Sequence, residues 1–278
     1  MFVSVIIAVY KDIEALELIL EALKRQTYKK FEVIVAEDND AEEMKECISK
    51  YSQDLQIRHT YQEDRGIRKT RSLNNAILDS RGEYLIFIDG DCIPYSTFVE
   101  GHVTLAEKDY IVSGRRCNLG PRYSQMLRER KISSIELEQQ FVWRFFSIAK
   151  DAKEGHTEAG FYFSPKGWFY RTFLKKRNAN TNLLGCNYSC YKEAIVTING
   201  YDEGYGETSL GDDTDLEWRF KAAGYKLKSA KNVANLFHLY HDRSFRDDIS
   251  SANELKKFQE NKKSNKYICE LGLNTHTD

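Results

Sequence analysis

The 278-residue chain predicts an α/β fold: a mostly parallel central sheet flanked by helices. Three observations carry this. The runs FVSVIIAVY (2–10), FEVIVA (31–36) and YLIFI (84–88) are nearly continuous in apolar residues, the mark of strands buried on both faces. Helix-like segments separate them, which is the crossover that parallel neighbours need. With 41% hydrophobic residues, 30% charged residues and three prolines, the chain can build a sizeable core and is not low-complexity.

The elements follow in order. After the first strand, Asp12 caps a helix with Ile13, Leu16, Leu20 and Leu23 on one face. The second strand leads to a polar helix around 41–51, and LQIRHT (55–60) is a third strand. Residues 67–80 form a helix with Leu73, Ala76 and Ile77 inward, ended by Gly82. The fourth strand, 84–88, precedes a helix near 96–107 and a strand at 110–114. The second half is less regular. One long helical segment is expected near 124–150, with Leu127, Ile135, Leu137, Phe141 and Phe145. An aromatic stretch, GFYFSPKGWFYRTF (160–173), comes next, then a helix at 192–198 and a loop at 200–211. A helix over 212–224 ends at Gly224, and NVANLFHLYH (232–241) reads as a strand. The tail, 251–270, reads as a basic helix with Leu255, Phe258 and Tyr267.

The net charge of −1 gives no global field toward nucleic acid. Basic residues cluster locally, at Arg115, Arg116, Arg122, Arg128 and Arg130, at 175–177, and in the tail. Such runs are mostly solvated faces, with a membrane-surface or anionic-ligand role left open. Six cysteines without a CxxC pair read as free thiols of a reducing compartment. No run reaches the ~18 apolar residues of a membrane span. The first strand begins at Phe2, leaving no room for a secretory signal, so a cytoplasmic location is expected. Trp143, Trp168 and Trp218 lean toward core, with a sugar platform as the alternative.

Three constellations carry chemistry. Asp38 follows the second strand, and Asp89 and Asp91 follow the fourth. In a parallel sheet these strand ends line the ligand crevice. If the chain stays extended, Asp89 and Asp91 face the same way, and Gly90 leaves the backbone approachable. Two such carboxylates repel unless a cation lies between them, and Mg²⁺ or Mn²⁺ shared with a diphosphate is the usual one. A plain turn with capping acids is the competing reading. The second constellation is Gly211-Asp212-Asp213-Thr214-Asp215 at a helix start. One acid suffices to complement the helix dipole, so three suggest a further task, such as accepting a proton from a substrate hydroxyl. The third is His238-Leu239-Tyr240-His241. On a strand, this odd spacing sends the rings to opposite faces, so one histidine at most is expected at the site. No GxxxxGK[ST], strand-linked GxGxxG, HExxH or GxSxG is present.

The segments VSVIIAVYKD, VIVAEDND, LIFIDGDCIP and DRGIRKTRSLNNAI (64–77) resemble the inverting nucleotide-sugar glycosyltransferases of family 2, which have the GT-A fold. LLGCNYSCYKEAIVTINGYDEGYG and GDDTDLEWRFKAAG resemble the acceptor-side and G-(E/D)-D motifs of galactosyl- and N-acetylgalactosaminyl-transferases. The likeness spans about residues 3–242. It implies a single Rossmann-like domain, 1–245, with a nucleotide-sugar-binding half (1–115) and an acceptor-binding half (116–245), followed by a basic helical tail (246–278). It places Ala8, Tyr10 and Asp38 against the nucleoside, and Arg68 and Arg71 near the base or diphosphate. Asp89 and Gly90 then lie by the donor, Asp91 ligates the metal, and His241 aligns better than His238 as a further ligand. Asp213 falls at the general base. Asp212, Trp168, Gly185 and Asn187 fall on the sugar or acceptor side. Asp212 stands where relatives often carry Glu, and Leu73 where many carry Arg, a role Arg71 would take over.

The activity implied is transfer of a sugar, from a UDP-hexose or UDP-N-acetylhexosamine, to a hydroxyl of a glycan acceptor, with Mn²⁺ or Mg²⁺. The setting implied is bacterial surface-polysaccharide synthesis. A lipid-linked acceptor would fit a basic tail held at the inner face of the cytoplasmic membrane. Two alternatives remain: a sugar-nucleotide nucleotidyltransferase, although AVYKDIEA lacks its phosphate loop, and a non-catalytic sugar-binding module. Neither uses both acidic clusters.

Overall fold

A computed structural model describes residues 1–177, 181–205, 213–241 and 248–276. The strands are β1 (Val3–Val9), β2 (Phe31–Glu37), β3 (Ile57–Thr60), β4 (Tyr84–Asp89), β5 (Cys92–Pro94), β6 (Tyr110–Ser113), β7 (Cys117–Asn118), β8 (Asn187–Tyr191), β9 (Lys226–Ser229) and β10 (Leu236–His238). Seven of them form one sheet in the order β3-β2-β1-β4-β8-β6-β9, parallel throughout except for β8, which is antiparallel to both neighbours. A small second sheet, β5-β10-β7, packs beside it.

The period-2 rule is visible in β1. Val3, Val5, Ile7 and Val9 enter one core cluster, and Ile6 and Ala8 enter the other. On the first face lie α1 (Ile13–Lys24), α2 (Glu42–Ser49) and α4 (Phe98–Leu105); on the second lies α3 (Lys69–Asp79), with Leu73, Ala76 and Ile77 buried as expected. Asp12 does cap α1, accepting from the Ala15 N–H at 3.1 Å. Gly82, by contrast, does not end α3. Extended Ser80 does that, and Gly82 is needed because a Cβ there would run into the backbone of Ser4.

The long helix expected over 124–150 is three: α5 (Pro121–Arg128), α6 (Ser134–Gln139) and α7 (Phe141–Asp151). Arg130 adopts a left-handed φ of 58°, and Ser133 and Glu136 form a capping box that starts α6 anew. Arg128 then reaches back to Asp12 with bonds of 2.8 and 2.6 Å, fastening this layer to α1. A π-helical turn, Tyr170–Leu174, runs into α8 (Lys175–Arg177).

α9 (Lys192–Thr197) and α10 (Asp213–Ala222) complete the second face, and Gly224 follows α10 at φ 95° as the helix-ending glycine. The strand expected over 232–241 shrinks to β10, because Asn232 turns the chain at φ 65°. Helix α11 (Asp248–Lys263) belongs to the tail. Beyond it the chain folds back: Leu273 is buried in the second core cluster, and Asn199 Nδ2 donates to the Cys269 carbonyl at 2.8 Å. All six thiols are free and buried. Among the described residues, no helix is long and apolar enough to cross a membrane.

Candidate active site

The sheet register assembles the donor-side acids. Ala8 of β1 pairs with Ala36 on one side and Asp89 on the other, so β2 and β4 end together. Asp38, just past β2, donates its N–H to the Val9 carbonyl at 3.0 Å. Its buried carboxylate accepts from Gln62 Nε2 at 2.6 Å and from the Arg68 N–H at 2.7 Å. Asp38 thus orders the 62–68 loop at the crevice. Tyr10 stands 52% exposed at the lip, its hydroxyl 3.4 Å from Asp64.

Asp89 and Asp91 do not share one direction. β4 stops at Asp89, and Gly90-Asp91 form a turn into β5, so the extended-chain rule no longer applies. Asp89 faces Lys69 Nζ at 2.8 Å. Asp91 faces two histidines instead: Oδ2 lies 3.2 Å from Nε2 of both His238 and His241. The turn also explains Gly90, where a Cβ would sit 2.8 Å from the Ala8 carbonyl oxygen; what the missing side chain admits is β1.

Both histidines reach the site, against the expectation of one. β10 ends at His238, so strand alternation does not extend to His241. Leu239 donates its N–H to the Asp91 carbonyl at 2.9 Å, which clips the His238–His241 segment onto the β4–β5 turn. The ligand atoms of Asp91, His238 and His241 lie within 4.8 Å of one another, which suits a single cation. Burial alone would raise the pKa of Asp91, but hydrogen bonds from His238 and His241 outweigh it and hold the carboxyl well below the usual range.

Two cations flank this cluster. Lys69 is one; Arg116 is the other, with Nη1 3.4 Å from His238 Nε2 and 4.0 Å from Cys186 Sγ. Lys69 opens α3 within the GIRKTRS segment, and only the fold shows that it, rather than Arg71, meets Asp89. Arg71 pairs with Glu203 at 3.2 Å. Arg68 is held through its backbone on Asp38 and through its guanidinium on the Glu63 carbonyl.

The acceptor-side acids divide as well. Asp213 opens α10, and Gly185 donates its N–H to Asp213 Oδ1 at 2.7 Å. One turn on, Glu217 accepts from the Leu183 N–H at 2.6 Å, so α10 grips the 183–185 loop at two points. Ser113 Oγ takes the Leu184 N–H at 3.1 Å. Asp215 is structural: it is buried, accepts from the Tyr205 hydroxyl at 2.7 Å and pairs with Arg219 at 3.1 Å. Asp212 lies outside the described residues.

Asn187 is not available to an acceptor. It is fully buried, and its amide donates to the carbonyls of Arg115 and Ala234 at 2.9 and 3.0 Å while its oxygen faces His102. Trp168 is 71% exposed and Trp143 89%, so neither is core. The two acidic constellations meet through the loop. Gly185 holds Asp213, and Arg116 lies between the next residue, Cys186, and His238, with Nη1 4.0 Å from the Cys186 sulfur and 3.4 Å from the His238 Nε2.

Residues 4–177 match the family model described as "Glycosyl transferase family 2", and residues 170–242 match the one described as "N-terminal domain of galactosyltransferase". A glycosyltransferase of Haloferax volcanii, AglE, is 34% identical over 105 residues, covering 37% of this chain and 34% of AglE. The chondroitin synthase of Pasteurella multocida is 28% identical over 116 residues, 41% of this chain and 12% of that protein. The matched part is thus about a third of the length of AglE and less of the synthase. Among solved structures, S. aureus TarS 1-349 in complex with UDP-GlcNAc superposes with a TM-score of 0.61 at 12% identity, over 99% of this chain and 69% of that one. The mannosyltransferase PcManGT of Pyrobaculum calidifontis, in complex with GDP-Man and Mn²⁺, gives 0.59 at 16%, over 94% and 64%. These likenesses show the fold, which is GT-A.

Proposed function

Since this chain belongs to glycosyl transferase family 2 and is a transferase, we propose that it moves a hexose or N-acetylhexosamine from a UDP donor to a glycan hydroxyl, with inversion, in bacterial surface-polysaccharide synthesis. The observation that carries this reading is the convergence just described: a cluster of possible metal ligands and a helix-start acid at one sheet edge, joined through the Gly185-Cys186 loop and Arg116. The UDP-GlcNAc bound by TarS, the metal in PcManGT and the chemistry of the chondroitin synthase relative support the donor, the ion and the setting.

Asp91, His238 and His241 would hold the metal. One carboxylate with two imidazoles suits a first-row ion such as Mn²⁺ better than Mg²⁺, which takes oxygen ligands. When bound, the ion neutralises charge on the departing diphosphate. Lys69 and Arg116 contribute fixed positive charge beside it, aimed where negative charge develops. Asp38 and Tyr10 receive the nucleoside. Asp213, oriented by the Gly185 N–H, takes the proton of the attacking hydroxyl, so a single displacement suffices and no enzyme nucleophile is required.

A donor panel tests the reading: thermal shift and slow hydrolysis with Mn²⁺, with the anomer of the released sugar read by NMR. A UDP-sugar is expected to stabilise the protein and to release UDP with an inverted sugar. Pyrophosphate release, retention of configuration, or no response to any sugar nucleotide would contradict it.

A further inference from the structure

Among the described residues, the most exposed large apolar side chains lie on α7 and on the 160–176 segment. Trp143 is 89% exposed, Phe146 83% and Trp168 71%, with Val142, Phe169 and Phe173 also outward. They are not scattered singly. Ring contacts run from Phe146 to Phe145 (centroids 5.4 Å) and on to Phe161 (4.8 Å). They resume from Phe163 to Phe169 (5.0 Å), to Phe173 (5.3 Å) and to Trp168 (5.5 Å). Phe145, Phe161 and Phe163 pack on the main core, so the outward rings stand on a rigid base. Two groups of exposed rings, one on α7 and one on the segment that packs against it through Phe161, mark an interaction surface.

Its charges say what it meets. Along the sequence, Arg144, Lys150, Arg171, Lys175 and Lys176 alternate with the rings. The three acids between 141 and 176 are each engaged: Asp151 accepts from the N–H groups of Arg122 and Tyr123, Glu154 pairs with Arg116 at 4.0 Å, and Glu158 pairs with Lys231 at 3.2 Å. Protein–protein interfaces are depleted in lysine, whereas tryptophan and phenylalanine set among lysines and arginines suit the headgroup level of an anionic bilayer. There the rings enter the acyl boundary, and the basic heads stay with the lipid phosphates. We propose that this aromatic–basic face docks the protein on an anionic membrane surface.

The test needs neither metal nor sugar nucleotide, so it stands or falls apart from the transferase reading. The full chain is mixed with vesicles of phosphatidylcholine, with or without phosphatidylglycerol, and with brominated acyl chains for quenching. Binding to the anionic vesicles with quenched indole fluorescence is expected. Trp143→Glu with Phe146→Glu, or Trp168→Glu with Phe173→Glu, should weaken it by about tenfold or more. Lys175→Glu with Lys176→Glu should weaken it about fivefold per residue, and Lys256→Glu with Lys262→Glu and Lys263→Glu should leave it unchanged. Several outcomes would overturn the proposal: no binding to anionic vesicles, equal binding by the aromatic variants, or loss confined to the tail variant. So would a dimer in lipid-free sedimentation that the aromatic substitutions dissociate.

Discussion

Single residues decide whether the acids can work. Gly185 shows this most sharply: its N–H holds Asp213, and a Cβ at that position would collide with the same carboxylate. Gly185→Ala is therefore expected to push Asp213 off its line, lowering kcat by about tenfold or more while leaving donor affinity near normal; equal kcat would remove the orienting role. At the proposed metal cluster, His238→Ala and His241→Ala should each weaken Mn²⁺ binding in calorimetry, because Asp91 faces both rings at the same 3.2 Å. If either variant binds Mn²⁺ like the wild type, that histidine is not a ligand. The sequence pointed to Asp91 and Asp213 through their places at a strand end and a helix start. It did not reveal Lys69, which meets Asp89 only through a long-range contact. Asn187 was misread for the same reason. Its position in the chain says nothing of the two carbonyls and the histidine that bury it.

At the scale of elements, local rules held where periodicity is long and failed where a short break intervenes. β1, β2 and β4 read directly from their apolar runs, and α1 and α3 from their 3.6-residue spacing. The helix expected over 124–150 was broken by one left-handed arginine and one capping serine, signals of three or four residues inside a helical pattern. Ser133→Ala removes the capping box of α6 and should cost about 1 kcal/mol in denaturant unfolding. A smaller change than about 0.3 kcal/mol would mean that packing of Leu137, not the cap, sets that helix start. The two-residue turn at Gly90-Asp91 had the largest consequence. It splits a pair of acids that an extended strand would have aligned, leaving Asp89 with Lys69 and Asp91 with the histidines.

Across the whole molecule, α4 and the antiparallel strand β8 are tied through buried polar bonds. His102 on α4 is fully buried, with Nε2 3.0 Å from Asn187 Oδ1 and Nδ1 2.7 Å from Ser189 Oγ, both on β8. Burial pushes its pKa from the ordinary 6.5 down to about 4, with the Asn187 bond opposing. Between those values the unfolded chain binds a proton that the folded one refuses. The contribution is thus full above the unfolded pKa and is lost as pH falls. From pH 7 to pH 5 this is roughly 2 kcal/mol. Unfolding of the wild type and His102→Gln at both pH values checks it: the variant should lose less stability on acidification, and identical slopes would assign the loss elsewhere. The central claim is a division of labour within the site, with the β4–β5 turn and the histidine segment binding the donor and α10 reacting with the acceptor hydroxyl. Its most direct test compares the wild type with Asp213→Asn, measuring affinity for Mn²⁺ and the UDP-sugar beside the rate of sugar transfer or hydrolysis. Unchanged donor affinity with turnover reduced by about 10²–10⁴-fold is expected. Near-normal turnover, or loss of donor binding in step with activity, would contradict it.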